Sequence, residues 1–380
     1  MKKMLSLAAM FAVLSYASPA SAELKLTGDA AVRARADISN TESTTGVKDK
    51  EDNLLLQYRI RLKAAADLGD GYFFKALVQS EENAANTLLG GGWSGVGANN
   101  GGAYNLEVSN FYFGRTLKEC HYSIGRLPLN SFNNPIFDLA LYAVPTWATP
   151  VGATYSAVTR SAVDIPVSTW NFDRLFGFNY GGKVGDGELN GTLVAMDDNS
   201  ADNNAGEGNG LLNDGYVLHL SYKTTTGNVT LEPQALISLT NVQAPVLNST
   251  PYTFGLNATI PSGKSKIGAS AFYTVNKDTT PAGADVDYTG YLLRLKGESG
   301  PATAWIDYNS TTDKSAAADV DYTNVFIWAQ YNFKMHESAT GSFSLTPTLR
   351  YRTSEAKDNV AATTKNNDQL RAELYATVTF

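Results

Sequence analysis

The chain closes on Leu370-Arg371-Ala372-Glu373-Leu374-Tyr375-Ala376-Thr377-Val378-Thr379-Phe380. Leu370, Ala372, Leu374, Ala376, Val378 and Phe380 alternate there with Arg371, Glu373, Tyr375, Thr377 and Thr379. An extended strand points successive side chains to opposite faces, so the first set makes an apolar face and the second a polar one. Such a ribbon needs grease on one side and water on the other. A soluble sandwich and a membrane barrel both supply that, and the rest of the chain decides between them.

The same period recurs upstream. Val229, Leu231, Pro233, Ala235, Ile237 and Leu239 alternate with Thr230, Glu232, Gln234, Leu236, Ser238 and Thr240, and 252–260 and 342–352 repeat the pattern. Strands are expected near 24–37, 53–66, 72–80, 104–116, 120–127, 172–183, 187–197, 214–224, 228–240, 251–260, 265–275, 285–297, 301–310, 320–334, 341–353 and 368–380. Many exceed the usual five or six residues of globular strands. Short turns such as Leu68-Gly69-Asp70-Gly71 and Val184-Gly185-Asp186-Gly187 carry turn chemistry. Long polar connections are expected at 38–52, 81–103, 198–213, 276–284, 311–319 and 354–367. Long strands joined by short and long connections in turn select a barrel over a sandwich. The expected fold is all-β, a transmembrane antiparallel β-barrel of about 16 strands, or 18 if Thr154 to Asp164 forms another. An even count puts both chain ends at the short-turn, periplasmic end. Pro233 and Pro347 each remove a ladder donor, which predicts a bulge or a near-terminal position. The strand at 104–116 changes phase near Asn110.

The N-terminus reads as an export signal. Lys2 and Lys3 are followed by an apolar Met4 to Ala17, too short for a spanning helix, and by Ala20-Ser21-Ala22, a small-residue cleavage site. Residues 1–22 are thus expected to be a signal peptide and 23–380 the barrel. The 20 Tyr and 16 Phe suit aromatic girdles at both membrane interfaces. Lone Cys120 excludes an intrachain disulfide framework. A net charge of −7, or −9 once Lys2 and Lys3 are gone, argues against nucleic acid as a partner.

A strand ending on Phe380 resembles the C-terminal signature of Gram-negative outer-membrane barrels, which the barrel-assembly machinery reads. The long interval Pro128 to Asn171 follows the fifth expected strand and contains Asn130-Ser131-Phe132-Asn133-Asn134-Pro135. Gly125-Arg126 stands just before it. In these features the chain resembles the Gram-negative porins, 16-stranded trimeric barrels whose connection after the fifth strand folds inward and narrows the lumen. The resemblance implies a homotrimer in outer-membrane lipid and lipopolysaccharide that passes small hydrophilic solutes by diffusion. It also implies that Arg126 faces the constriction, although strict alternation puts Arg126 on the face of Ile124. A bulge at Gly125 would then be needed to aim it inward. The loop carries few acids, only Asp138 and Asp164, which would form a complementary pole.

Alternation places Lys25, Arg33 and Arg35 inward on the first strand and Arg59, Arg61 and Lys63 inward on the second. Lys75 is inward on the third, and Arg350, Arg352 and Arg371 on the last two. Closure sets the last strand beside the first, so these cations gather on one wall, with the fewer inward acids Asp29, Asp37 and Glu373. Arginine stays charged at any relevant pH, and aligned guanidiniums in a wet passage attract anions. The readings are a pore biased toward anions, a substrate-selective anion channel of the phosphate type, or a plugged barrel serving as adhesin or anchor. The stretch Asp197 to Glu207 lacks the glycine of a calcium loop, and His121, His219 and His336 have no ligand spacing. No metal, cofactor or enzymatic activity is expected.

Overall fold

The computed structural model describes residues 23–80, 93–95, 106–128, 134–136, 175–197, 215–240, 250–279, 285–314 and 319–380. The chain first forms β1 (Glu23–Glu42), β2 (Lys48–Gly69), β3 (Tyr72–Ser80), β4 (Ser94–Gly95), β5 (Leu106–Thr116) and β6 (Cys120–Leu127). Then come β7 (Leu175–Val184), β8 (Gly187–Asp197), β9 (Gly215–Thr226), β10 (Val229–Ser238), β11 (Tyr252–Ser262) and β12 (Ser265–Thr279). The last are β13 (Asp285–Ser299), β14 (Ala302–Asp313), β15 (Val320–Tyr331), β16 (Phe333–Ser338), β17 (Gly341–Asp358) and β18 (Thr363–Thr379). Neighbours in space pair antiparallel, and β18 returns to β1 from Asp29 opposite Thr379 to Glu42 opposite Asn366. The sheet is therefore closed.

Eighteen segments make sixteen staves. The short β4 continues the edge of β3, meeting β2 at Gln57 and Tyr58. β15 and β16 both pair with β17 and are one stave broken at Asn332. The extra segments thus come from these two places. Thr154 to Asp164, the alternative source of an added strand, lies outside the described residues, as does the 1–22 leader.

Alternation sorts the faces as the pattern demands. On β1, Val32 is 59% exposed while Arg33 beside it is 6% exposed. Leu54, Leu56, Phe176, Phe178, Leu293, Leu295 and Leu374 also stand on the outside. Positive-φ glycines fall in the short turns at Gly185, Gly227, Gly263 and Gly300, where a tight hairpin needs the left-handed conformation.

Three expectations are corrected. The stretches 38–52 and 354–367 are mostly strand, with turns only between Glu42 and Lys48 and between Asp358 and Thr363. Neither proline sits at a bulge or a strand end. Pro233 stays in register with Leu256. Pro347 stays in register with Leu374, and on its other side the ladder breaks between β15 and β16, where its missing N–H leaves a gap. The bulge expected at Gly125 lies instead in β5. Leu77 pairs with Asn110 but Val78 with Val108, so Ser109 is the extra residue and the phase changes there.

The seam between the first and last staves is tight. Gly28 N–H donates to the Phe380 carbonyl at 2.8 Å, and Phe380 N–H to Gly28 at 3.0 Å. A Cβ on Gly28 would meet the Phe380 ring and the Arg61 carbonyl oxygen at 2.7 Å. Gly28→Leu should lower stability by about 1–3 kcal/mol, read as a lower urea midpoint of the refolded barrel. Gly297→Ala, with open space around its Cβ, should leave the midpoint unchanged.

Candidate functional site

Antiparallel register builds the site. β2, β1, β18 and β17 are consecutive staves, and their inward positions fall opposite one another. Asp29 faces Arg61 across β1 and β2, and accepts from Arg61 Nε at 2.8 Å and Arg59 Nη2 at 3.3 Å. Asp37 faces Arg371 and accepts from its Nε at 2.5 Å and its Nη2 at 3.2 Å. Arg352 Nη2 donates to Asn367 Oδ1 at 2.7 Å.

Glu373 is the hub. Its side chain is wholly buried and takes Arg35 Nε at 2.7 Å, Arg350 Nη2 at 2.9 Å and Arg33 Nη1 at 3.2 Å. The Tyr375 hydroxyl donates to Glu373 Oε2 at 2.8 Å. It accepts from Arg350 at 2.8 Å and from Arg33 at 3.2 Å. Two like charges 4 Å apart repel by about 4 kcal/mol at an effective dielectric of about 20, so a shared carboxylate is needed to bring three guanidiniums together. Seven arginines, at 33, 35, 59, 61, 350, 352 and 371, meet three carboxylates, Asp29, Asp37 and Glu373. Seven less three leaves four positive charges in excess within this group of arginines and the acids that pair with them.

Aromatic rings run through the wall. Trp93 lies against it, 4.0 Å from Arg33 Cζ, 4.6 Å from Arg59 Cζ and edge-on to Tyr375 at 5.4 Å. Arg350 Cζ stands 3.8 Å over Trp328, which stacks on Trp305 at 4.4 Å. Arg294 continues the line, 5.5 Å from Trp305 and in a bidentate pair with Asp307 at 2.5 and 2.7 Å.

The structure thus brings together all seven arginines expected from alternation. Lys63 follows Arg61 on the same face toward the short turns, and Lys75 lies 5.1 Å from the Phe73 ring, away from the cluster. Arg126 stands on β6, outside the four staves that carry the seven arginines. It keeps register opposite Phe111 and Phe176 and donates to the Val108 carbonyl at 3.3 Å. Asp138 and Asp164 lie outside the described residues. Sequence reading put Tyr375 on the polar face without giving it a role, and missed Arg294, Trp93, Trp305 and Trp328. For Arg294 the signal was present, since Leu293 and Leu295 flank it as outward residues.

Half-way round the ring the wall is held by amides, with the Glu232 carboxylate accepting from Asn257 Nδ2 at 3.5 Å. His219 Nε2 and Asn134 Nδ2 both donate to Gln234 Oε1 at 2.8 Å, and Asn257 Nδ2 donates to Asn134 Oδ1 at 3.2 Å. Gln234 is in the middle of β10, and Ile136 is fully buried. The long connection after β6 therefore reaches inside the barrel at Asn134–Ile136 rather than over its rim.

The family described as Gram-negative porin matches residues 6–344. The fold is similar to that of an anion-selective porin from Comamonas acidovorans, with a TM-score of 0.53 and 12% identity over 93% of this chain and 100% of that one. It is also similar to OmpT, an outer membrane protein of Vibrio cholerae, in its trimer form, with a TM-score of 0.51 and 13% identity over 93% and 99%. At these identities the likeness is one of fold. Among curated proteins no sequence matches.

Glu373→Gln would leave three buried guanidiniums without their shared charge. It should lower unfolding stability by about 3 kcal/mol in urea titration. Glu355→Gln, exposed on β17, should stay within about 0.5 kcal/mol of the parent.

Proposed function

The chain belongs to the Gram-negative porin family, and on that premise we propose a water-filled outer-membrane channel for passive diffusion of small hydrophilic solutes, biased toward anions. The observation that carries the bias is the excess of four positive charges among the seven arginines and their three paired acids on one continuous inner wall, across from a wall of amides and the Glu232 carboxylate. Fixed guanidiniums in a narrow aqueous passage lower the energy of an entering anion and raise that of a cation. Arg33, Arg35, Arg59, Arg61, Arg350, Arg352 and Arg371 carry this role. Polar partners hold the guanidiniums against the wall.

The remaining parts of the reading follow from the barrel. The exposed apolar outer face meets outer-membrane lipid and lipopolysaccharide. Export requires removal of the leader after Ala22, and Phe380 at the seam is the residue offered to the assembly machinery. Assembly is as a homotrimer, in keeping with the trimer form of the Vibrio cholerae protein. Diffusion involves no bond-making step, so no catalytic residue is assigned.

The combined change Arg59→Glu and Arg61→Glu alters the wall by four charge units and should cancel the excess. In planar bilayers under a salt gradient, the zero-current potential should move from the anion side to near or beyond zero. An unchanged potential in a variant that still refolds would refute the basic-wall reading.

A further inference from the structure

All three described tryptophans lie on the inner face of the barrel, although outer-membrane barrels ordinarily place such rings at the lipid interfaces. Each touches a guanidinium or another tryptophan. Traced round the ring, the contacts run from Arg294 to Trp305, Trp328 and Arg350, through Glu373 and Tyr375 to Arg33, then Trp93, Arg59 and Asp29. Seven consecutive staves, from β13 to β2, are joined by this line, since β15 and β16 count as one.

We propose that Trp93, Trp328 and Trp305 are positioning residues that set the channel's anion preference by clamping the arginines of the wall. The chemistry explains why a ring would be used here. A carboxylate holds a guanidinium but cancels its charge. An indole face holds it through the ring quadrupole and is itself neutral, so the cation keeps its field. Three carboxylates are shared among six of the seven arginines, so Arg33, Arg59 and Arg350 each divide an acid with a neighbour, and an acid of their own would erase the field it was meant to organise. Trp93 lies against two arginines, and these are held by different acids, Arg33 by Glu373 and Arg59 by Asp29. It therefore ties the two ion-pair groups together. Trp328 holds Arg350 from the other flank, and Trp305 backs Trp328. The stack also passes the constraint on to Arg294.

The same rings do more than fill space. The two faces of Trp328 are taken by Arg350 and Trp305, with Phe326 edge-on at 6.5 Å. The two tryptophans are only 8–9% exposed. Rings this covered offer little surface to a passing solute, which favours clamping over a direct binding track.

This inference rests on the anion-biased reading above, and the test separates the two. The full-length protein, refolded and checked for heat-modifiable migration, is studied in planar bilayers under a potassium chloride gradient as wild type, Trp93→Leu, Trp328→Leu, Trp93→Phe and Trp328→Phe. Leucine keeps apolar bulk without a π face. We expect each leucine variant to lower the anion-to-cation permeability ratio roughly twofold and to raise open-channel noise, and each phenylalanine variant to recover most of the wild-type ratio. A wild type that prefers anions, with leucine variants of equal ratio, would overturn the clamping role and leave the basic wall standing. So would phenylalanine variants as impaired as leucine ones, since volume rather than the ring face would then matter. A wild type without anion preference would overturn both.

Discussion

The structure depends on one constraint: a chain crossing hydrocarbon must satisfy each backbone N–H and carbonyl from within itself. A sheet does so only when it has no edges. Here closure is made by pairing β18 with β1 over fourteen residue pairs, from Asp29–Thr379 to Glu42–Asn366. Once the ring is closed, period-two alternation separates an outside from an inside, and everything polar on the strands has one place to go. The arginine wall is a product of that seam. Its members come from the first two and last two long strands, which meet only because the ends of the sequence meet.

Closing the ring this way concentrates charge, and the structure shows how the concentration is tolerated. Acids are placed by register directly across from the cations they serve, Asp29 from Arg61, Glu373 from Arg35, and Asp37 from Arg371. Each is shared or bidentate, so few acids order many bases. Tyr375 adds a hydroxyl that both gives and takes within the Glu373 cluster. Aromatic faces do what further acids would do, without reducing the net charge. The opposite wall, where Asn134 meets Gln234 and Asn257, is held by amide hydrogen bonds beside the Glu232 carboxylate. A channel with unlike walls is the outcome.

Much of this was legible in the sequence because lipid outside and water inside write a two-letter pattern along every strand. Val32, Arg33, Ala34 and Arg35 could be sorted without any structure. The pattern fails where its cause is absent. In Lys48 to Asp52 and in Thr363 to Asp368 both faces are polar, so strand looks like loop, and the hairpins are longer than periodicity implied. In Val325 to Ala329 both faces are apolar, so Phe326 and Trp328 were not recognised as inward. Trp93 is anchored by a two-residue strand, too short to leave a period. Arg126 shows the reverse error, a residue given a role by resemblance whose register partners are Phe111 and Phe176 rather than the wall.

The most direct measurement is a thiol-reactivity scan along β1 in a Cys120→Ser background, with single cysteines at Val32, Arg33, Ala34 and Arg35 in the reconstituted barrel. A small charged thiol reagent from the aqueous side should modify the cysteines at 33 and 35 and reduce channel current. It should spare those at 32 and 34, which a lipid-borne quencher should reach instead. Equal modification at all four positions, or reaction at 32 and 34 alone, would contradict a closed barrel with its arginines on the water-filled side.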